Sequence, residues 1–254
     1  MKRNVIVGMP NTGKSTFFNR LTGSSSRVGN WPGVTVELLS ATIVLGDEAI
    51  EIVDLPGIYD LHGFSEDEQI VRDFLEYNHV DLVCVVLNAT QLDHQLPLAL
   101  QIIKLGLKPV VLVNMIDEAD QLGIRIDAEG LEQGLGCPVV LLSARHGTGF
   151  NEARDVITTG IAHTTAPPLS DIRSNLHADD ELVERSDALV GQFISSPGKL
   201  VRKITERIDR VLLHPLLGLP LFFATMFLVF QAVYTLGAPL QDAVAWVLDL
   251  FRAQ

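Results

Sequence analysis

From residue 3 to about residue 160, apolar runs of strand length alternate with stretches of helical period, the βαβ rhythm of a parallel sheet covered on both faces. Strands are predicted at 3–8, 37–45, 49–54, 81–88, 109–114 and 138–142, and helices at 14–21, 66–78, 94–106, 127–135 and 150–160. In "TIVLGDEAIEIV" the pair Gly46-Asp47 separates two apolar runs, which predicts one antiparallel hairpin in an otherwise parallel six-stranded α/β sheet. The run "SEDEQ" at 65–69 places acidic side chains where a helix begins, at the positive end of its dipole.

Past residue 162 the pattern changes. "AHTTAPPLSDIRSN" is rich in Pro, Ser and Thr and marks a boundary, so residues 1–162 are expected to form one domain. Leu182, Leu189, Val190 and Phe193 make one helical stripe, "SSPG" at 195–198 a turn, and Leu200, Ile204, Ile208 and Val211 a second stripe. That predicts a small α-helical domain over 163–213, resting on the first. From Pro215 to Gln241 there is no Asp, Glu, Lys or Arg. Such a stretch is long enough to cross about 30 Å of hydrocarbon. The final region, 214–254, therefore begins with a transmembrane helix candidate at about 216–236. The preceding "KLVRKITERIDR" carries five basic residues against two acidic ones, which assigns that flank to the cytoplasm.

Composition narrows the picture. Mean hydropathy of +0.28 over 254 residues is high for a wholly soluble chain. A formal net charge of −12 repels a phosphate backbone and argues against nucleic acid as a partner. Cys84 and Cys137 lie in or beside apolar runs, without C-x-x-C spacing, as inert thiols do in a reducing compartment. The histidines at 62, 79, 94, 146, 163, 177 and 214 show no paired ligand spacing, so no iron site is assigned to them. His214 reads instead as a cap or headgroup-level residue of the membrane helix.

Chemistry concentrates in four motifs. "GMPNTGKSTF" follows a predicted strand and opens a predicted helix, and its Gly8, Gly13, Lys14 and Ser15 satisfy G-x-x-x-x-G-K-[ST]. In such a P-loop the backbone N–H groups cradle phosphates, the lysine reaches the β and γ groups, and the hydroxyl takes a Mg²⁺ position. The phosphate-binding set is then Gly8, Pro10, Asn11, Thr12, Gly13, Lys14, Ser15 and Thr16. "DLPG" places Asp54 at a strand end to support the metal and Gly57 to sense the γ-phosphate. "NMID" supplies Asn114, Met115 and Asp117. A carboxylate there accepts from guanine N1–H and its exocyclic amine, whereas adenine offers no such pair. "SAR" adds Ser143, Ala144 and Arg145, a segment that closes over the base. Together these predict a P-loop (Ras-like) GTP-binding domain with Mg²⁺ as cofactor.

One position departs from Ras-like enzymes: Ile58 stands where a glutamine would orient the attacking water. Asn11 has two readings, a ligand for a monovalent cation near the transferring phosphate or a cap of the loop. Met115 replaces a lysine that stacks on the base in many GTPases, and Trp31 either shields the nucleotide or packs its loop down.

"GMPNTGKSTFFN", "VGNWPGVTVE", "DLPGIY", "VNMIDEA" and "HPLLGLPLFFATMFLVF" together resemble the bacterial ferrous iron transporter B (FeoB) family over nearly the whole chain. The resemblance implies a cytosolic G domain, a helical spacer and the start of a membrane region that transports Fe²⁺ in the bacterial inner membrane. It implies potassium-stimulated GTP hydrolysis, with Asn11 and the backbone carbonyls of Gly29 and Trp31 as K⁺ ligands and Thr35 on Mg²⁺ and γ-phosphate. Catalysis would then rest on Lys14, Asn11, Thr35 and Gly57, with switch segments at 24–36 and 56–66. Implied partners are GTP and GDP, the bilayer, the remaining membrane domain, a small cytosolic accessory protein and further copies of the chain. A single membrane helix cannot enclose an ion path, so the chain is a fragment or a truncated homologue. Two other readings stand beside this one: a GTP-dependent switch with negligible turnover, motivated by Ile58, and a soluble assembly GTPase, which would need a basic module.

Overall fold

In strand β1 (Lys2–Gly8), Val5 and Val7 belong to one hydrophobic cluster and Ile6 to another, so the sheet separates two cores. The computed structural model describes residues 2–23, 27–29, 31–34, 36–46, 48–163, 172, 179–195 and 218–252. After β1 come α1 (Lys14–Thr22), β2 (Arg27–Gly29), β3 (Leu38–Leu45), β4 (Glu48–Asp54), α2 (Glu66–Tyr77), β5 (Leu82–Asn88) and α3 (Leu92–Lys104). Then follow β6 (Val110–Asn114), α4 (Ile116–Gln121), β7 (Arg125–Ile126), α5 (Ala128–Leu135), β8 (Val139–Leu141), α6 (Phe150–His163), α7 (Asp179–Phe193), β9 (Ile194–Ser195) and α8 (Gly218–Arg252).

The main sheet runs β2-β3-β4-β1-β5-β6-β8. β1 lies parallel to β4 and β5, β6 continues the parallel set to β8, and β3 pairs antiparallel with β4 through the turn at Gly46. The sheet therefore has seven strands, not six. The seventh, β2, is a three-residue antiparallel edge with two exposed positions, too short and too polar to show a period. α4 and β7, of six and two residues, escaped the sequence reading for the same reason. The helix expected at 94–106 occupies Leu92–Lys104 and accommodates Pro97 within it.

On one face Val5, Val53, Val85 and Val113 pack with Phe74 of α2, Leu96 and Ile102 of α3 and Leu131 of α5. On the other, Ile6, Ile52, Val86 and Leu112 pack with Phe17 and Phe18 of α1 and Ile157 and Ile161 of α6. Each of the two phenylalanines is fully buried and contributes about 2 kcal/mol by leaving water, which fixes α1 under the loop that precedes it.

The chain forms two units, Met1–Pro197 and Gly198–Gln254. Within the first, Leu182 and Leu189 of α7 are buried, as their stripe predicts, and α7 packs on α3 and α5. Side chains Phe193 and Leu189 press onto Gly130 and Gly134 of α5, where an added Cβ would meet them at 2.2 and 2.5 Å. β9 pairs with β7 and closes the contact. The second stripe, Leu200 to Val211, lies outside the described residues, as do residues 196–198 of the expected turn, whose first residue, Ser195, instead ends β9. In the second unit α8 runs 35 residues, well past the expected end near 236. Its window Gly218–Thr235 is long and apolar enough to cross a membrane, and none of it is buried. Thr225 and Thr235 donate their hydroxyls to the carbonyls of Leu221 and Gln231, four residues back, so these polar groups are satisfied inside the helix.

Candidate functional site

Parallel strands all point one way, so their carboxyl ends converge, and the predicted motifs sit there. Ile6 stands beside Asp54, Gly8 beside Val86 and Asn88 beside Asn114 in register. The loop from Gly8 to Lys14 bends back over the end of β1, with Thr12 fully buried and its hydroxyl donated to the Met9 carbonyl (3.0 Å). Gly13 opens α1 with φ +80°, and a Cβ there would lie 2.3 Å from Asn114 Nδ2. Only glycine meets both demands. Asn11 also adopts a left-handed φ of 62°, which asparagine tolerates better than most residues.

At the start of α1, Lys14 Nζ lies 2.6 Å from Asp54 Oδ1, and Ser15 donates its hydroxyl to Asp54 Oδ2 at 3.2 Å. Both charged side chains of that pair are largely shielded, 11% and 5% exposed. A cation, a hydroxyl and a carboxylate thus meet beside the first N–H groups of a helix, where anions are favoured. Met9, Pro10, Asn11, Gly13, Thr16 and Gly57 complete the walls of a cavity of about 390 Å³ around Lys14 and Ser15. Gly57 must be small: a Cβ there would crowd the Pro10 backbone at 3.1 Å. Asp67, from the first turn of α2, also lines this cavity. Asp67 belongs to no phosphate-binding motif, and only the fold brings it there.

Ile58 is 1% exposed in the core, and its N–H donates to the Gly8 carbonyl (3.1 Å). Its side chain faces away from the cavity. The following segment is tied down. Leu61 N–H donates to Gln101 Oε1 (2.9 Å), Arg72 Nη1 donates to the carbonyls of Leu61 and Gly63 (2.8 and 2.7 Å), and His62 and Gly63 N–H groups donate to Asp60 (2.6 Å each).

Asn114 joins two loops. Its Nδ2 donates to the Thr12 carbonyl (2.9 Å), and its Oδ1 accepts from Ala144 N–H (2.8 Å), with the residue 3% exposed. Met115 takes φ 65° and starts α4, which turns Asp117 towards the 143–148 loop. A hydrogen bond from the Ser143 side chain outweighs partial burial and, with His146 and Arg145 nearby, holds the Asp117 carboxyl below the usual carboxylate range. His146 Nε2 is 3.3 Å from Asp117 Oδ2.

Of the residues implied for a potassium site, Asn11 lies in the loop before α1, Gly29 at the end of β2 and Trp31 in the turn that follows. Gly29 is paired to Leu38 in β2–β3, and the Trp31 carbonyl accepts from Val34 N–H (3.2 Å) in a turn. The Trp31 ring packs edge-on against Phe74 (5.2 Å) and under the Arg3 guanidinium (4.6 Å), while Asn78 Nδ2 holds the Pro32 carbonyl (3.1 Å). Phe74 and Asn78 belong to the last turn and the cap of α2, Phe74 about 10 Å along the helix from Asp67 at 1.5 Å per residue, and Arg3 belongs to the start of β1. Of the two readings of Trp31, packing the loop down is the one observed. Thr35 lies outside the described residues.

A seven-stranded, mostly parallel sheet with a P-loop at the end of its central strand defines an α/β P-loop protein of the G-domain type. Residues 2–157 match the family described as ferrous iron transport protein B. The Fe(2+) transporter FeoB of Synechocystis sp. is 45% identical over 247 residues, which cover 96% of this chain and 40% of that protein. The cytosolic domain of L. pneumophila FeoB, 30% identical, superimposes with a TM-score of 0.67 over 77% of this chain and all of that one. That of T. maritima FeoB in its GMPPNP form, 26% identical, gives 0.66 over 77% of this chain and all of that one. The chain belongs to the ferrous iron transport protein B (FeoB) family. It spans about 40% of the length of the curated relatives it matches.

Proposed function

We propose that this chain binds and hydrolyses GTP as the cytosolic regulatory portion of a ferrous iron transporter in the bacterial inner membrane. The observation that carries the reading is the meeting of Lys14 Nζ and Ser15 Oγ on the Asp54 carboxylate at the start of α1. T. maritima relatives solved in GDP and GMPPNP forms support it. Lys14 and the loop N–H groups of residues 11–16 bind phosphate, Gly57 N–H reports the γ group, and Asn114 sets the loops around the base. Asp117, with Ser143, Ala144 and Arg145, selects guanine. The oxygens of Ser15 and Asp54 are hard ligands of the kind Mg²⁺ takes together with nucleotide phosphates, so the residues fit that ion, and Thr35 is assigned to it as well. Bound there, it supplies positive charge to the phosphoryl oxygens.

Residues 163–213 act as the spacer between this site and a membrane region that begins with α8, the bilayer being its partner. Potassium stimulation belongs to the proposal through Asn11. The backbone carbonyls of Gly29 and Trp31 are assigned to the same ion. The burial of Ile58 favours one rival, a GTP-dependent switch with negligible turnover, since no side chain from that position can polarise water. GTP turnover in potassium against sodium, for the native chain and Asn11→Ala, separates them. Acceleration by potassium that Asn11→Ala abolishes supports the hydrolase; no turnover in either salt supports the switch.

A further inference from the structure

The loop at 143–148 closes on itself through Gly147 N–H to the Ser143 carbonyl (2.7 Å) and Ser143 N–H to the Thr148 carbonyl (3.0 Å), and Asn114 holds it by one amide. A further tie comes from Arg20, an exposed residue in the last turn of α1 that no motif contains. Its Nη1 donates to the Ala144 carbonyl (3.1 Å) and the Arg145 carbonyl (3.2 Å). The guanidinium lies over the Phe150 ring (5.6 Å), which itself packs on Phe17 of α1 (5.8 Å). Gly147 has φ +84°, and a Cβ on it would sit 2.2 Å from Arg20 Nη2. The guanidinium therefore fills the space under this turn.

An arginine in the last turn of a helix ordinarily serves that helix, whose carbonyl ends favour a cation. Here both carbonyls it serves belong to another segment. Two acceptors on one planar donor, with a ring beneath it, fix an orientation as well as a distance. The segment so fixed carries Ser143, whose side chain bonds Asp117, and His146, 3.3 Å from the same carboxylate. We propose that Arg20 is a positioning residue that staples the 143–147 loop to α1 and, through it, sets how long a guanine nucleotide stays bound. The inference rests on the guanine-nucleotide reading above and goes beyond it by naming a determinant of release outside every motif.

Because the staple acts on the base side, its loss should speed nucleotide release and leave phosphate binding alone. The test uses the full chain in mild detergent with Mg²⁺, following dissociation of mant-GDP and, separately, competition by inorganic pyrophosphate. Arg20→Ala should release mant-GDP about tenfold faster, the effect of losing a charged donor shared by two carbonyls. Arg20→Lys, which keeps the charge but not the planar group over Phe150, should fall between, at about threefold. Pyrophosphate affinity should be the same in all three chains. An Arg20→Ala chain that releases mant-GDP at the native rate, or that loses pyrophosphate in proportion because α1 itself is damaged, overturns the assignment. A native chain that binds no mant-GDP overturns the guanine reading and this inference with it, so failure of the variant and failure of the reading appear in different samples.

Discussion

Replacing Asn114 by alanine tests how far the site depends on one buried amide. The side chain gives a donor to the Thr12 carbonyl and an acceptor to Ala144 N–H, and neither Thr12 nor Ala144 is more than 2% exposed. Truncation leaves both backbone groups buried without a partner. Each orphaned group costs about 1–3 kcal/mol, so the pair costs roughly 2–6 kcal/mol. For a domain of this size, with a urea slope of about 2 kcal/mol/M, the unfolding midpoint should fall by about 1–3 M. The assay is urea unfolding of the full chain in mild detergent, followed by Trp31 emission in a Trp246→Phe background, since Trp31 packs on Phe74 inside the first unit. Asn114→Asp sharpens the test. It keeps the acceptor for Ala144 but turns a carboxylate oxygen towards the Thr12 carbonyl, and should cost at least as much as alanine. A midpoint shift below about 0.5 M for alanine, or a neutral Asn114→Asp, would refute the reasoning.

Further expectations concern base, pH and thiols. Asp117→Asn should move preference from GTP towards xanthosine triphosphate, measured by competition against mant-GDP, and an unchanged preference removes the guanine argument. The Asp117 carboxyl is held low by Ser143, so its charge and its contribution persist above the unfolded value and are lost only as pH falls through the lower folded one. The part of guanine-nucleotide affinity that Asp117→Asn removes, compared at each pH, should therefore survive acidification to about pH 4, the ordinary aspartate value, and loss of that difference above it contradicts the assignment. Burial pushes the thiols of Cys84 and Cys137 up to about 12, so both should resist a thiol reagent at pH 8 until denaturant is added, and prompt labelling of the native chain contradicts this.

Residues that act through main-chain geometry or local order were legible in the sequence. Gly13, Lys14 and Asp54 stand at spacings that a strand, a tight loop and a helix enforce, and β5 and β6 read as unbroken apolar runs because both of their faces are covered. The edge strand β2 was not legible, since a three-residue segment with one face in solvent carries no period. Arg20 and Asp67 were hidden for a different reason. Each reaches the site from a helix whose position depends on packing of Phe17, Phe18 or Phe74, a tertiary fact that spacing does not encode. The potassium ligands Gly29 and Trp31 were named from resemblance alone, and the packing of the Trp31 ring between Phe74 of α2 and Arg3 of β1 is a tertiary contact that spacing does not encode.

A lysine, a hydroxyl and a carboxylate at the start of α1, with Asp117 held by the 143–148 loop for the base, make a site for one purine nucleotide. Calorimetric titration of the full chain in detergent with Mg²⁺ addresses it directly, using GDP, GMPPNP and ADP in turn. GDP and GMPPNP should each bind at one site, with ADP at least about a hundredfold weaker because adenine leaves the Asp117 carboxylate unpaired. No heat with either guanine nucleotide, or ADP bound as tightly as GDP, would contradict the account.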